Sequence, residues 1–326
     1  MQKKIYNRSM QQNDEFILAP LHGVTSKNFR NALANTFGGI DRVMAPYVEP
    51  KQNKTITIKE LDELSPQNNS LPIEAQILAK DAALFLAAAQ EMKSIGVQRV
   101  NLNMGCPYPM VTNKGKGSSL LENPSLVAKL LMQIKKDSPL SLSVKLRLGY
   151  KDPNEIFALI PIFNDLAITD ITIHPRIGID LYHGPLYLDH FKRCVDILAV
   201  VPSYNGDITS TSMFSAMKEK FPTINRWMIG RGALLNPAFF CELRGEKLDE
   251  SEFEKKFWKL HDTISENILT LSNGKSFYLH RMKEYWSYWI HSFQENVTFA
   301  KKIKKCKTIE EYDILCNYHK ETKRPR

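Results

Sequence analysis

Between Glu15 and Ile229 the chain repeats one pattern eight times: a short apolar or β-branched run that stops at Gly, Pro, Asn or Asp, then a stretch with helical spacing. Such alternation specifies a parallel sheet covered by helices, and eight units close it into a TIM barrel. Strands are expected at Glu15 to Ala19, Ile40 to Ala45, Pro72 to Leu78, Val97 to Leu102, Leu140 to Leu148, Asp170 to Ile173, Leu198 to Tyr204 and Arg226 to Ile229. The helices between them have recognisable starts at Thr25 or Ser26, Asp81, Asn123-Pro124 and Asp152-Pro153. Lys51 to Ser70 is polar, with weak helical character only around Ile58 to Leu64.

Around Glu246 the pattern changes. Phe253, Phe257, Leu260 and Ile264 recur every three or four residues and strand signals vanish. The expected fold is therefore α/β, with a barrel domain over residues 1–245 and a smaller all-helical domain over 246–326. Helices are expected from Lys247 to Tyr318, followed by a disordered basic tail, KETKRPR. A length of 326 residues suits a barrel of about 200–250 residues with an appended small domain.

No apolar run approaches the roughly 18 residues that span a bilayer, and the opening MQKKIYNRSMQQNDE lacks the apolar segment of a secretory signal. Five cysteines without short paired spacings point to reduced thiols in a cytoplasmic protein. Cys306 and Cys316 have no nearby His pair, so no metal site is expected. Of the net charge of +9, Lys275 to Arg326 contributes twelve Lys and Arg against six Asp and Glu. Either a solvated helical surface or a polyanionic partner explains that excess.

Chemistry concentrates at the carboxyl ends of the expected strands, where barrels collect their active sites. Asn103-Met104-Gly105-Cys106-Pro107 ends the fourth strand and sets a lone thiol in a polar, tightly turned and exposed place. The loop beyond it, Asn113 to Ser119, reads as mobile and basic through Lys114 and Lys116. Gln76 and Lys145 lie inside strand patterns, where a buried polar side chain must find a partner. The glycine turns Asn205-Gly206-Asp207 and Gly230-Arg231-Gly232 follow the last two strands, the usual phosphate position of barrels.

The stretch NLNMGCP followed by KGKGSSLL resembles the signature of the tRNA-dihydrouridine synthases, flavoenzymes that reduce uridines in transfer RNA. APLHGVTSKNFR, IEAQI, SVKLRLG, IHPRIGIDLYHG, YNGDI and MIGRGALLNP resemble further blocks of that family in order, from Leu18 to about Phe240. His22, Ile177 and the KGKGSS loop depart from its common pattern. The resemblance implies flavin mononucleotide (FMN) as cofactor, held by Pro20, Leu21, His22, Gln76, Lys145, His174, Asn205, Gly206, Asp207, Gly230 and Arg231. It implies Cys106 as the catalytic acid, NADPH as transient reductant and tRNA as partner of a monomer with no stable protein partner.

Saturating the C5=C6 bond of uracil needs hydride at C6 and a proton at C5. Reduced flavin is the expected hydride donor, and a thiol with an ordinary pKa of about 8.5 is mostly protonated at neutral pH. Asn103, Lys114, Lys116, Arg176, Arg281 and Lys283 are candidate RNA contacts. His174 and Arg176 suit either uracil carbonyls or a phosphate, and the aromatics of His280 to Trp289 suit either RNA stacking or a helical core. Two other functions remain open: a barrel oxidoreductase acting on a free pyrimidine or other small molecule, and an RNA-binding protein without activity.

Overall fold

The computed structural model describes residues 14–271, 274–293 and 297–322, so the opening basic segment and the last four residues of the tail lie outside it. The strands are β1 (Glu15–Leu18), β2 (Arg42–Met44), β3 (Ile73–Ile77), β4 (Arg99–Met104), β5 (Ser141–Gly149), β6 (Ile171–Ile177), β7 (Ser203–Tyr204) and β8 (Arg226–Ile229). They pair in parallel in sequence order, and β1 closes on β8, which makes the TIM barrel. Between them run α1 (Lys27–Thr36), α2 (Ile58–Leu64), α3 (Ala82–Ser94), α4 (Pro109–Thr112), α5 (Pro124–Asp137), α6 (Ile156–Asp165), α7 (Leu188–Ile197) and α8 (Thr211–Lys220). After β8 come α9 (Arg231–Leu235), α10 (Phe239–Leu243), α11 (Glu250–Thr270), α12 (Lys275–Trp289), α13 (Val297–Lys305) and α14 (Ile309–Thr322).

Three expectations move. The seventh strand is only Ser203–Tyr204, because Pro202 ahead of it has no N–H to give a ladder. The sixth does not stop at Ile173 but runs through His174-Pro175-Arg176. There β5 and β6 shift register between Arg147 and Gly149, and Pro175 falls where no donor is required of it. The tail does not begin at Lys320, since α14 continues to Thr322 and Lys320 Nζ is 2.8 Å from Asp262 Oδ1.

At the barrel's amino-terminal face the first residues of several strands form a buried ion network. Arg42 reaches Glu15 at 2.5 Å, Glu74 at 2.6 Å and Asp170 at 3.1 Å, and Asp170 also takes Arg99 and Arg226. Asp170 is buried, so Asp170→Ala takes a shared carboxylate from three guanidinium groups on one face. We expect a loss of about 3–5 kcal/mol, read from urea denaturation.

The helical region shares the barrel's apolar core. One continuous cluster includes Phe29 and Leu33 of α1 together with Phe257, Leu260, Ile264, Tyr285 and Trp289 of α11 and α12. The Tyr285 hydroxyl donates to the Val24 carbonyl at 2.8 Å, and Arg281 donates to the Gly23 carbonyl. These bonds seat α12 against the loop after β1, beside the mouth of the barrel. Of the aromatics in His280 to Trp289, Tyr285, Trp286 and Trp289 are therefore core, whereas Tyr288 is half-buried.

Candidate active site

Cys106 sits one turn past β4, and three separate contacts fix it. The Asn103 side-chain oxygen accepts the backbone N–H groups of Gly105 at 3.0 Å and Cys106 at 2.9 Å. The Cys106 carbonyl accepts the Ser118 N–H at 3.0 Å and its hydroxyl at 3.1 Å. Behind it Gly117 has φ +63°, and a Cβ there would stand 2.5 Å from the Cys106 carbonyl oxygen. Only glycine fits both constraints. We expect Gly117→Ala to displace the thiol and lower turnover by up to about 100-fold, with the bound-flavin spectrum showing that the fold survives.

The thiol is not exposed as its loop suggested: Cys106 is 8% accessible, packed beside Leu78, Val111 and Tyr47, and reaches solvent only through a cavity. Burial pushes its pKa up. The loop beyond it is also more tightly built than its glycines implied. It leaves α4 directly and runs into a 3-10 turn over Gly117–Glu122, and Lys116 Nζ is 3.0 Å from Glu49 Oε1. Lys114 stays exposed at the lip, 3.6 Å from the same carboxylate.

The cavity opens at the carboxyl ends of the strands and measures about 990 Å³. Pro20, Leu21 and His22 line it from β1, Gln76 from β3, Asn103 and Cys106 from β4, and Lys145 from β5. Gln76 belongs to a chain of donors running down the barrel interior. Asn103 Nδ2 donates to Gln76 Oε1 at 2.8 Å, Gln76 Nε2 to Asn101 Oδ1 at 2.9 Å, and Asn101 Nδ2 to Ser143 Oγ at 2.6 Å. Ser143 ends the chain on the Glu74 carboxylate. That carboxylate takes the Ser143 proton, and a reversed Asn101 amide would set two N–H donors face to face at Gln76. Because the Asn103 oxygen is already taken by the turn N–H groups, its amide nitrogen faces Gln76 Oε1, and Gln76 in turn presents its nitrogen to Asn101.

Lys145 has no hydrogen-bond partner for its ammonium among the described residues. Burial, and then the charge of Arg147, lower its pKa to about 7. A half-buried, desolvated cation without a partner asks for a ligand that supplies one. β5 also points Arg147 into the mouth, because residues two apart share a face of a strand. Arg147 binds the carbonyls of Gly105 at 3.1 Å and Ile177 at 2.7 Å.

A second chamber of about 70 Å³ adjoins the first through Leu21, Gly105, Lys145, Tyr182 and Arg231. Arg147, His174 and the turns Asn205-Gly206-Asp207 and Gly230-Arg231 complete it. Its charge is cationic, with Asp207 as the one acid lining it. Asp207 is bound by Arg176 at 2.5 Å and by Arg231, and these guanidinium groups outweigh its burial and hold its pKa low. His174 is pushed well below its ordinary value by burial and then by Arg147, so its ring is neutral. Arg176 Nη1, 3.2 Å away, can only donate to His174 Nε2, which leaves the ring proton on Nδ1. A large chamber with an unpartnered ammonium and a small cationic one beyond it fit a ligand with a flat carbonyl-bearing ring and an anionic end. The residues present thus suit FMN.

Not every expected contact faces the cavity. Arg176 is 5% exposed and is spent on Asp207, His174 and the Gly184 carbonyl. Arg281 is spent on Gly23 and Glu284, and Lys283 on the Cys306 carbonyl. Conversely, Tyr47, Arg147 and Tyr182 line the chambers without having been singled out in sequence, and Tyr288, one of the aromatics of His280 to Trp289, lines the larger one. Tyr47 stacks on His22 with ring centroids 4.9 Å apart, and Tyr182 lies between Arg147 and Arg231, 5.2 and 5.4 Å from their guanidinium carbons. Their signals were position alone: Tyr47 just past β2, and Arg147 in phase with Lys145.

A family model described as dihydrouridine synthase matches residues 17–324. The chain is 24% identical over 324 residues to the tRNA-dihydrouridine(16) synthase of Neisseria meningitidis serogroup B, a match covering 95% of this chain and 96% of that protein. It is 28% identical over 233 residues to the tRNA-dihydrouridine synthase B of Pseudomonas putida, covering 71% and 68%. Among solved structures it is similar to the old yellow enzyme from Trypanosoma cruzi, with a TM-score of 0.50, 11% identity and coverage of 76% of this chain and 93% of that one. At that identity the likeness is one of fold.

Proposed function

Because the chain belongs to the dihydrouridine synthase family and is a flavin-dependent enzyme by that membership, we propose that it reduces the C5=C6 bond of particular uridines in tRNA to 5,6-dihydrouridine. One observation carries this reading: a thiol kept protonated by burial and an unpartnered Lys145 ammonium share a single cavity, which continues into a cationic chamber. FMN held there would supply the hydride for C6, with NADPH as its reductant. Cys106 gives its proton to C5. Asn103 holds the thiol in place through the two N–H bonds of the turn. Gln76 and Lys145 would face the carbonyl edge of its ring, Pro20, Leu21 and His22 would wall it, and His174, the glycine turns and Arg231 would take its phosphate. Arg176 orients His174 and Asp207 from behind.

A uridine in folded RNA must leave its stack to reach this cavity, at a cost of a few kcal/mol. Contacts to phosphates offset that cost. Lys301, Lys302, Lys304 and Lys305 of α13 are exposed while Ile303 between them is buried, a cationic face on the helical region. Lys114 adds a cation at the lip. The helical region is thus assigned to RNA binding, and five free cysteines fit a cytoplasmic location. None of the described helices is long and apolar enough to cross a membrane.

Mapping dihydrouridine in RNA from cells lacking the gene tests the assignment. Loss at defined tRNA positions, restored by the purified enzyme with NADPH, is expected. An unchanged map, with activity on free uracil or an enone, refutes it in favour of a small-molecule reductase.

A further inference from the structure

We propose that Met110, backed by Tyr108, is an apolar wedge that enters the RNA stack where the reduced uridine leaves it. The inference rests on the RNA assignment above. Tyr108, Pro109 and Met110 follow Cys106 closely in sequence, and Tyr108 and Met110 stand at the lip of the large cavity. The inner side of α4 is locked to the protein. Val111 and Thr112 are 4% and 6% exposed, and their N–H groups bond the Tyr108 carbonyl at 2.8 and 3.0 Å. Ser119 Oγ donates to the Thr112 carbonyl at 3.1 Å. The outer side presents Met110 at 73% exposure and Tyr108 at 45%.

Single exposed apolar side chains are ordinary on protein surfaces. What distinguishes these two is placement on a braced turn, at the entrance a base must pass, with the exposed Lys114 on the same edge. A base drawn into the barrel leaves a gap in its stack, and proteins that open nucleic acids fill such gaps with Met, Leu, Ile or Phe. Methionine suits a gap of irregular shape because its side chain is unbranched and soft. Tyr108 carries the apolar surface inward, its ring 6.2 Å from Tyr182 in the cavity wall. Cys106 must touch the uracil at C5, so the nucleotides flanking that uridine pass the residues that follow Cys106 in sequence.

The test uses the flavin-loaded full chain and an unmodified tRNA carrying 2-aminopurine beside the uridine that the enzyme reduces. Binding to the wild type should raise the fluorescence, because the probe loses its stacking partner. Met110→Ala should cut that rise several-fold and slow single-turnover uridine reduction about 10-fold, while Met110→Leu, which keeps apolar volume, should recover most of both. Equal rise and rate in Met110→Ala and the wild type would overturn the wedge. So would Met110→Leu failing as badly as Met110→Ala, which would mean that the side chain only builds the turn. If the wild type itself forms no dihydrouridine on any tRNA, it is the RNA assignment that fails.

Discussion

Replacing Cys106 with alanine is expected to leave flavin bound and to slow uridine reduction by roughly two to four orders of magnitude, the range a positioned general acid contributes. The thiol is the group with both the placement and the protonation for the task. It lines the cavity on a turn fixed by Asn103, Ser118 and Gly117, and burial raises its pKa above the ordinary thiol range. The neighbouring Tyr47 hydroxyl is also pushed up by burial, so it is a still weaker acid and a poor substitute. The sign of the pH dependence follows. A general acid works while it holds its proton, and a raised pKa extends that condition upward. Turnover limited by this step should therefore be flat through neutral pH and fall only under alkaline conditions, and the alanine variant should lose that alkaline limb. Single-turnover oxidation of the reduced enzyme by unmodified tRNA, followed across pH, checks both.

Lys145→Met is expected to weaken FMN binding by about 2–5 kcal/mol, or roughly 30- to several-thousand-fold in Kd, as removal of a charged partner desolvated by its ligand does. In the flavin-free chain this lysine titrates near 7 rather than near 10.5. An anionic ligand pulls that value back up. Binding at pH 8, where the ligand phosphate is already dianionic, should thus take up a proton through Lys145, and the methionine variant should lose that uptake. Calorimetry in buffers of different ionisation heat reads this directly. The lysine's lowered pKa also costs the empty fold stability. Unfolded, it stays protonated below about 10.5, so the cost grows as pH falls from 10.5 toward 7 and then levels off. Flavin-free Lys145→Met should therefore be no less stable than the parent at neutral pH, which separates a lost ligand contact from a damaged fold.

Much of this architecture was legible because it rests on period and punctuation. Eight apolar runs ended by turn residues give the barrel, and a thiol between Gly and Pro marks the end of the fourth. Lys145 stood out as a charge inside a strand, and its strand partner Arg147 was there by the same alternation. What stayed hidden depends on closure. Asn101, Ser143 and Glu74 are unremarked polar residues on separate strands until β3, β4 and β5 pair and line them up beneath Gln76. Arg176 looked available because His-Pro-Arg reads as a strand terminator. The register shift instead carries β6 through it and turns the guanidinium onto Asp207. In α12 apolar and charged residues are mixed around the whole helix, so sequence could not tell which side meets the barrel. Contact with Gly23 and Val24 decides it, and consumes Arg281.

The central claim is that one cavity brings a proton-bearing sulfur and a reduced flavin to the two carbons of a uridine in RNA. The measurement closest to it mixes anaerobically reduced, flavin-loaded enzyme with unmodified tRNA and follows flavin absorbance while nucleosides are analysed by mass spectrometry. The account predicts rapid flavin reoxidation matched mole for mole by dihydrouridine in the wild type, and neither in Cys106→Ala on the same timescale. Flavin that stays reduced in the presence of tRNA, yet is promptly reoxidised by free uracil or an enone, would contradict it.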